Sequence, residues 1–320
     1  MIILPVSAII PTKDREEVLM RTLQSLLAQS HGPEEVIIVD ASFSNESAAR
    51  LNSLPWPAGM QVHYVPAEIK GAALQRMQGI KLSTSEFILF MDDDIALEAD
   101  CVIKLFEGFT NNQQPPTNNK IGGVNAMITN QHYTPPGFVT RSMYIMLSGK
   151  KLSTWAGKVI GPAWNLLPED NANLPEYVVC EWLNTTCTMY RREALPNPVF
   201  PQVFKGYSLL EDLALSVTVG RDWILLNART ARIFHNSQTG DHKSDHALLA
   251  EMDLVNRHYV MRHVLQRKGF RNYFKLFLFA AFGTASAISS RRVNFVFADL
   301  KGKIRALKHI LRERTGRNRI

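Results

Sequence analysis

The chain is predicted to be an α/β protein: a mixed, mainly parallel sheet flanked by helices, with a helical extension at the C-terminal end. Three observations predict it. Strand-like and helix-like patterns alternate from the first residues. The run Phe87–Ile95, FILFMDDDI, is an apolar strand that empties into three consecutive carboxylates. A chain of 320 residues with 46% hydrophobic content can also bury a substantial core.

The elements follow in order. Val6–Pro11 reads as a strand, and Glu16–Gln29 as a helix with Val18 or Leu19, Leu23 and Leu26 or Leu27 on one face. Glu35–Asp40 is a second strand, Ser44–Leu54 a helix, Val62–Val65 a short strand, and Ala72–Leu82 a helix opened by Gly71. The acidic strand comes next, followed by an amphipathic stretch from Ala99 to Thr110. Asn111–Asn119, with two prolines and many amides, is a loop, and Ile121–Thr129 a further strand. From about Asn130 to Pro175 prolines and glycines break the pattern and no element is assigned. Order returns at Trp182–Tyr190, with a helix over 210–219, strands at Trp223–Leu226 and Ala231–Phe234, and a long helix Asp245–Gln266.

The net charge of +7 is concentrated in the tail. Residues 291–320 hold ten Lys or Arg against Asp299 and Glu313, so the first 290 residues sum to −1. Leu276–Ser290 is uncharged but shorter than the roughly 20 residues a spanning helix needs. Beyond it Val293, Val296 or Phe297, Leu300, Ile304, Leu307 and Leu311 recur at helical spacing, with Lys301, Arg305, Lys308 and Arg312 on other faces. Such a helix can lie on an anionic membrane, or cap the sheet with its charges in water. The tail shows no nucleic-acid motif, and no nucleic-acid partner is expected. Three cysteines without metal-type spacing suit a reducing compartment. The opening MIILPVSAII has neither a basic leader nor a cleavage site, so a cytoplasmic protein is expected, peripheral on the inner membrane face if the tail (270–320) binds lipid.

In an open α/β sheet, ligands sit beyond the carboxyl ends of the strands, where Asp92, Asp93 and Asp94 fall. Three like charges there call for a cation. Mg2+ and similar ions take one or two carboxylates together with the phosphate oxygens of a substrate, so a nucleotide diphosphate fits. The alternative is a solvated acidic loop or helix cap.

Six segments in order, IIPTKDR, VIIVDAS, KGAALQRMQGI, the acidic triplet, LLEDLALSVTVGRDW and ARIFH, resemble the family 2 glycosyltransferases of the GT-A fold, over roughly residues 4 to 236. The resemblance implies a Rossmann-like catalytic domain over 1–240, with a nucleotide-binding half to about residue 130, an acceptor half from 131 to 240, and a helical extension over 241–320. It implies an inverting enzyme that moves one sugar from a nucleotide-diphosphate-sugar to a glycan or lipid-linked acceptor, in surface glycan, lipopolysaccharide or exopolysaccharide assembly. In that pattern Pro11, Thr12 and Asp40 line the nucleotide, Arg76 faces it, and Asp92 and Asp93 contact it. Asp92, Asp94 and His235 hold Mn2+ or Mg2+, Asp212 is the general base, and Glu211 and Trp182 lie on the acceptor side. Each has a plainer alternative: a turn-forming aspartate at 40, a surface arginine at 76, helix-terminal acids at 211 and 212, a structural His235, a core Trp182. Ala41 and Ser42 replace the acid or amide many relatives carry after Asp40, so base selectivity does not transfer. No QxxRW sequence of processive synthases follows the Glu-Asp pair. The rival activities are sugar nucleotidyl transfer, which normally brings a Gly-rich basic loop where this chain has PTKDREE, and a non-catalytic binding relative.

Overall fold

The computed structural model describes all residues except 44–45, 111–119, 205, 207, 239–244, 290–292 and 315–320. The predicted loop Asn111–Asn119 and the start of the helix predicted from Ser44 therefore lie outside the described residues. The chain divides into two compact units.

The first unit comprises Met1–Thr134, Ala156–Lys158 and Leu167–Gln238. It is built on β1 (Ile2–Thr12), β2 (His31–Asp40), β3 (Gln61–Pro66), β4 (Phe87–Met91), β5 (Ile95–Leu97), β6 (Ile121–Ile128), β9 (Tyr177–Cys180), β10 (Cys187–Arg191) and β11 (Ile224–His235). These form one sheet in the order β3-β2-β1-β4-β10-β6-β11-β5, with β9 paired to β11. The pairs β1–β2, β2–β3, β1–β4 and β6–β11 are parallel; β10 runs antiparallel between β4 and β6. This is the mixed, mainly parallel α/β sheet expected from the sequence. The two strands predicted at Trp223–Leu226 and Ala231–Phe234 are one strand, β11, with a register shift between Ala228 and Arg232. Thr230, which breaks the apolar run in sequence, bonds Glu176 at that irregularity.

The helices pack as their apolar spacing dictates. α1 (Glu16–Leu27) buries Leu19, Leu23 and Leu26, and α4 (Cys101–Thr110) buries Val102, Leu105 and Phe109, in one core with Val36, Ile38, Leu89 and Met91. On the other face Ile9, Ile88 and Phe90 pack with Ala73 of α3 (Ala72–Leu82) and with Leu215 and Val219 of α6 (Glu211–Val219). α2 spans Glu46–Leu51.

The second unit comprises Pro135–Trp155, Val159–Leu166 and Thr239–Ile320. It contains α5 (Phe138–Ser148), a short hairpin of β7 (Val159–Ile160) and β8 (Trp164–Asn165), α7 (His246–Tyr259), α8 (Phe270–Ser289) and α9 (Val293–Arg314). Its aromatic core joins Tyr144 to Trp155 and Trp164, and Trp164 to Phe279. Asp245 caps α7 by accepting from the amides of Ala247 and Leu248. α9 lies close on α7: a Cβ at Gly302 would meet the Ala247 carbonyl oxygen at 2.1 Å, so only glycine fits there.

Candidate active site

The acidic triplet sits where β4 ends, and each carboxylate meets a different set of partners. Asp93 is buried. Its Oδ2 accepts from Thr12 Oγ1 at 2.6 Å and its Oδ1 from Arg15 at 3.3 Å. Burial pushes its carboxyl up to about 6, against the pull of Thr12 and Arg15. Asp94 is also buried, with Oδ1 at 3.1 Å from His235 Nε2 and Oδ2 accepting the Gln238 amide at 3.2 Å. Burial raises this carboxyl too, but the hydrogen bond and charge of His235 and the Gln238 amide outweigh it, so it lies below the ordinary value. Asp92 is half-buried, with Oδ1 at 2.5 Å from Arg76.

Asp92, Asp94 and His235 each present one ligand atom, all within 4.8 Å of one another. Two carboxylates and an imidazole suit Mn2+, which accepts nitrogen as well as oxygen, and Mg2+ less closely. The donor set thus fits a divalent cation. His235 is fixed from behind. Asn130 accepts its backbone amide at 3.1 Å and donates to its carbonyl at 2.9 Å, while the Gln131 side chain meets Nδ1 at 3.3 Å, so Nε2 is turned toward Asp94.

Arg76 is not a surface residue. Its guanidinium lies buried between Asp92 and Glu211, the latter at 3.3 Å, and its Nε has no hydrogen-bond partner among the described residues. That leaves one buried N–H for a further acceptor oxygen. Glu211 and Asp212 open α6 after two residues in the left-handed region, Ser208 at φ 55° and Leu210 at φ 70°, an unusual backbone of the kind concentrated at functional sites. Burial pushes both carboxyls upward; for Glu211 the neighbouring Asp212 adds to the rise and Arg76 opposes it. One Asp212 oxygen accepts the Leu213 amide at 2.7 Å. The segment before α6 meets the start of α3 where Gly71, at φ 135°, bridges Gly206; a Cβ at Gly71 would lie 3.1 Å from the Gly206 carbonyl oxygen.

At the end of β2, buried Asp40 accepts from the Ser42 amide at 2.7 Å, from the Ser42 hydroxyl, and from Tyr64 at 2.9 Å. The turn role weighed from sequence is therefore present, and it leaves the carboxylate anchored beside Thr12, its register partner on β1. Pro11 is buried one residue earlier. Trp182 is buried in the loop entering β10. Ser216 of α6 ties that loop to the Asp212 turn: its hydroxyl accepts the Leu183 amide at 2.9 Å and bonds the carbonyl oxygens of Leu183 and Asp212.

The sequence reading assigned no role to Arg15, Gln75, Asn130, Gln131 or Ser216. Arg15 stood in the quoted IIPTKDR segment. Gln75, next to Arg76, donates to the carbonyl oxygens of Thr12 and Val39 at 2.9 and 2.7 Å and so clamps the ends of β1 and β2 together. Contacts across more than a hundred residues, as between Asn130 and His235, leave no local pattern to read.

The model of the family described as glycosyl transferase family 2 matches residues 7–196, more than half of the chain. The chain belongs to this family. No curated protein matches it. Among solved structures it is similar to a mannosyltransferase from Pyrobaculum calidifontis in complex with GDP-Man and Mn2+, at 13% identity and TM-score 0.56, over 95% of this chain and 87% of that one. It is also similar to GalNAc-T7 with UDP, GalNAc and Mn2+, at 14% identity and TM-score 0.51, over 72% of this chain and 43% of that one. At such identities the likeness concerns the fold, which is GT-A. The family 2 membership makes the protein a glycosyltransferase.

Proposed function

We propose that this family 2 glycosyltransferase moves one sugar from a nucleotide-diphosphate-sugar to an acceptor hydroxyl with inversion, in a single displacement at the rim formed by β1, β2, β4 and α6. One observation carries the reading. Arg76 bonds both Asp92, a member of the cation-type cluster, and Glu211, the neighbour of Asp212, so donor-side and acceptor-side acids share one buried guanidinium.

In this reading Asp92, Asp94 and His235 hold Mn2+ or Mg2+, which when bound offsets the charge of the leaving diphosphate as a Lewis acid. Thr12, Pro11 and Asp40 line the nucleotide. Asp40 is held by Ser42 and Tyr64 and keeps one lone pair, on Oδ2, for a ribose hydroxyl. Asp93, buried against Thr12 and Arg15, supports the wall beneath it. Asp212 accepts the proton of the attacking hydroxyl; its raised pKa favours holding that proton near neutral pH. Trp182 and Glu211 border the acceptor. The acceptor class is a glycan hydroxyl, free or lipid-linked, in surface polysaccharide assembly. Support for the donor class comes from the two fold relatives, one solved with GDP-Man and the other with UDP.

The test is to incubate the full chain with Mn2+ or Mg2+ and a panel of UDP-, GDP- and dTDP-sugars, with and without lipid extract. Release of a nucleoside diphosphate with an inverted glycoside is the expected result. Formation of a nucleoside triphosphate and a sugar 1-phosphate when pyrophosphate is added would instead mark nucleotidyl transfer, and bound nucleotide without turnover under all conditions would mark a non-catalytic relative.

A further inference from the structure

The apolar periodicity of the C-terminal helices does not all face inward. On α8, Phe270, Phe274, Phe277, Ala281, Ala285 and Ile288 follow one another at steps of three or four residues, and all are exposed, Phe270 at 82%. The stripe runs ~27 Å along the helix. α9 divides its apolar residues between two faces. Val296, Ala306 and Ile310 are buried, while Phe297, Leu300, Ile304, Leu307 and Leu311 form an exposed stripe, Phe297 at 81% and Leu311 at 59%. Two stripes of this size on the surface mark a contact site.

Charge identifies what they contact. Lys301, Arg305, Lys308 and Arg312, all exposed, follow the α9 stripe one residue on, at the same spacing. Both acids of α9 are already paired within the unit. Asp299 accepts from Lys303 and from Thr284 of α8, and Glu313 pairs with His258 and His263. Arg305 makes a long pair with Glu251, at 3.8 Å. The outer face of α9 is thus apolar along one line and cationic along the next. Pairing that stripe with its copy in a second chain would set like charges along the seam. An anionic bilayer instead receives the apolar line among its acyl chains and the cations among its headgroups. Among the described residues no helix is long and apolar enough to cross a membrane, so the contact is in the plane of the surface.

We infer that α8 and α9 form an interfacial membrane-binding face for anionic lipid. This goes beyond the transfer reaction and does not depend on it, and its test contains no donor sugar. The full chain is sedimented with vesicles of phosphatidylcholine plus phosphatidylglycerol, and with phosphatidylcholine alone. The protein is expected to pellet with the anionic vesicles and to be released by high salt. The variant Lys301→Glu/Lys308→Glu should bind them roughly tenfold or more weakly, and Leu300→Gln/Ile304→Gln/Leu311→Gln should stay in the supernatant. All five positions are exposed, and unchanged circular dichroism verifies folding. Wild-type protein that stays in solution, or variants that pellet as wild type does, would overturn the inference. So would a dimer in sedimentation velocity that the triple glutamine variant converts to monomer, since a second copy would then own the stripe.

Discussion

Replacing Arg76 by Met tests the central contact of the site. The guanidinium is 3% exposed and lies 2.5 Å from Asp92 and 3.3 Å from Glu211. Removing it leaves Glu211 buried without a cation, a change that typically costs about 3–5 kcal/mol. Two features place the cost at the lower end. Asp92 is partly open to water, and Glu211, already pushed upward by burial, can take up a proton instead of remaining charged. At neutral pH the expected loss is therefore about 3 kcal/mol, or roughly 1 M or somewhat less in the urea midpoint of a chain this size. The sign of the pH dependence follows. A carboxyl whose folded pKa is raised stabilises fully below its unfolded value and loses that contribution as pH rises through the folded value. Removing Arg76 raises Glu211 further, so the gap between wild type and variant widens toward alkaline pH by up to about 1.4 kcal/mol per unit. The assay is urea unfolding at neutral and alkaline pH, with Arg76→Lys as the variant that keeps charge but loses the fork. An Arg76→Met midpoint equal to wild type at both pH values would refute the shared-cation geometry.

Three further outcomes are expected. Asp212→Asn should lower turnover by roughly 10²- to 10⁴-fold with nucleotide binding retained, and the wild-type rate should fall as pH drops through a value above the ordinary aspartate range; a normal rate in the variant, or an acid limb near 4, would remove Asp212 as base. Asp94→Asn should abolish Mn2+ binding measured by calorimetry, and Gln131→Ala should weaken it about 10- to 100-fold through loss of the His235 support; titrations identical to wild type would sink the assigned ligand set. Glu35, buried at the opposite end of the sheet, accepts from Ser7, from the Thr84 amide and hydroxyl, and from Ser85, and these bonds outweigh burial to hold its carboxyl below the usual value. Glu35→Ala should cost about 1–3 kcal/mol, and its deficit should shrink as acid protonates the wild-type group; a deficit independent of pH would contradict that account.

The acidic triplet was readable from sequence because it is local. FILFMDDDI carries the strand, its end and the acids in nine residues, and strand ends in parallel sheets are where such groups collect. The fold class was legible for the same reason: Val6–Pro11, Glu35–Asp40 and Phe87–Met91 are short apolar runs separated by a helical period. What escaped depends on distance in sequence or on which way a face turns. Arg76 and Glu211 are 135 residues apart, and no spacing announces their pairing. The unassigned stretch after Asn130 folds partly with helices more than a hundred residues later, through Tyr144, Trp164 and Phe279. In α9 the periodicity was visible, but only tertiary packing separates Ala306 and Ile310 inward from Ile304 and Leu311 outward.

The antiparallel insertion of β10 has a consequence for how new specificities arise on this scaffold. The strand is pinned on both sides, to β4 through Cys187–Arg191 and to β6 through Tyr190, Met189 and Thr188. The loop that feeds it is tethered at Glu181 to Gly157, at Leu183 to Ser216, and at Thr186 to Asp92. Between these tethers the backbone is fixed, and the Asn184 side chain adds to them by accepting the Thr186 amide at 3.2 Å, so the buried positions 182 and 185 are the ones whose side chains can change with these bonds kept. Selection can thus retune what the loop contacts by point substitution, leaving the acidic triplet in place. Insertions and deletions there would break a tether to Ser216 or Asp92, so lineages diverging at this loop should differ in its residues and agree in its length.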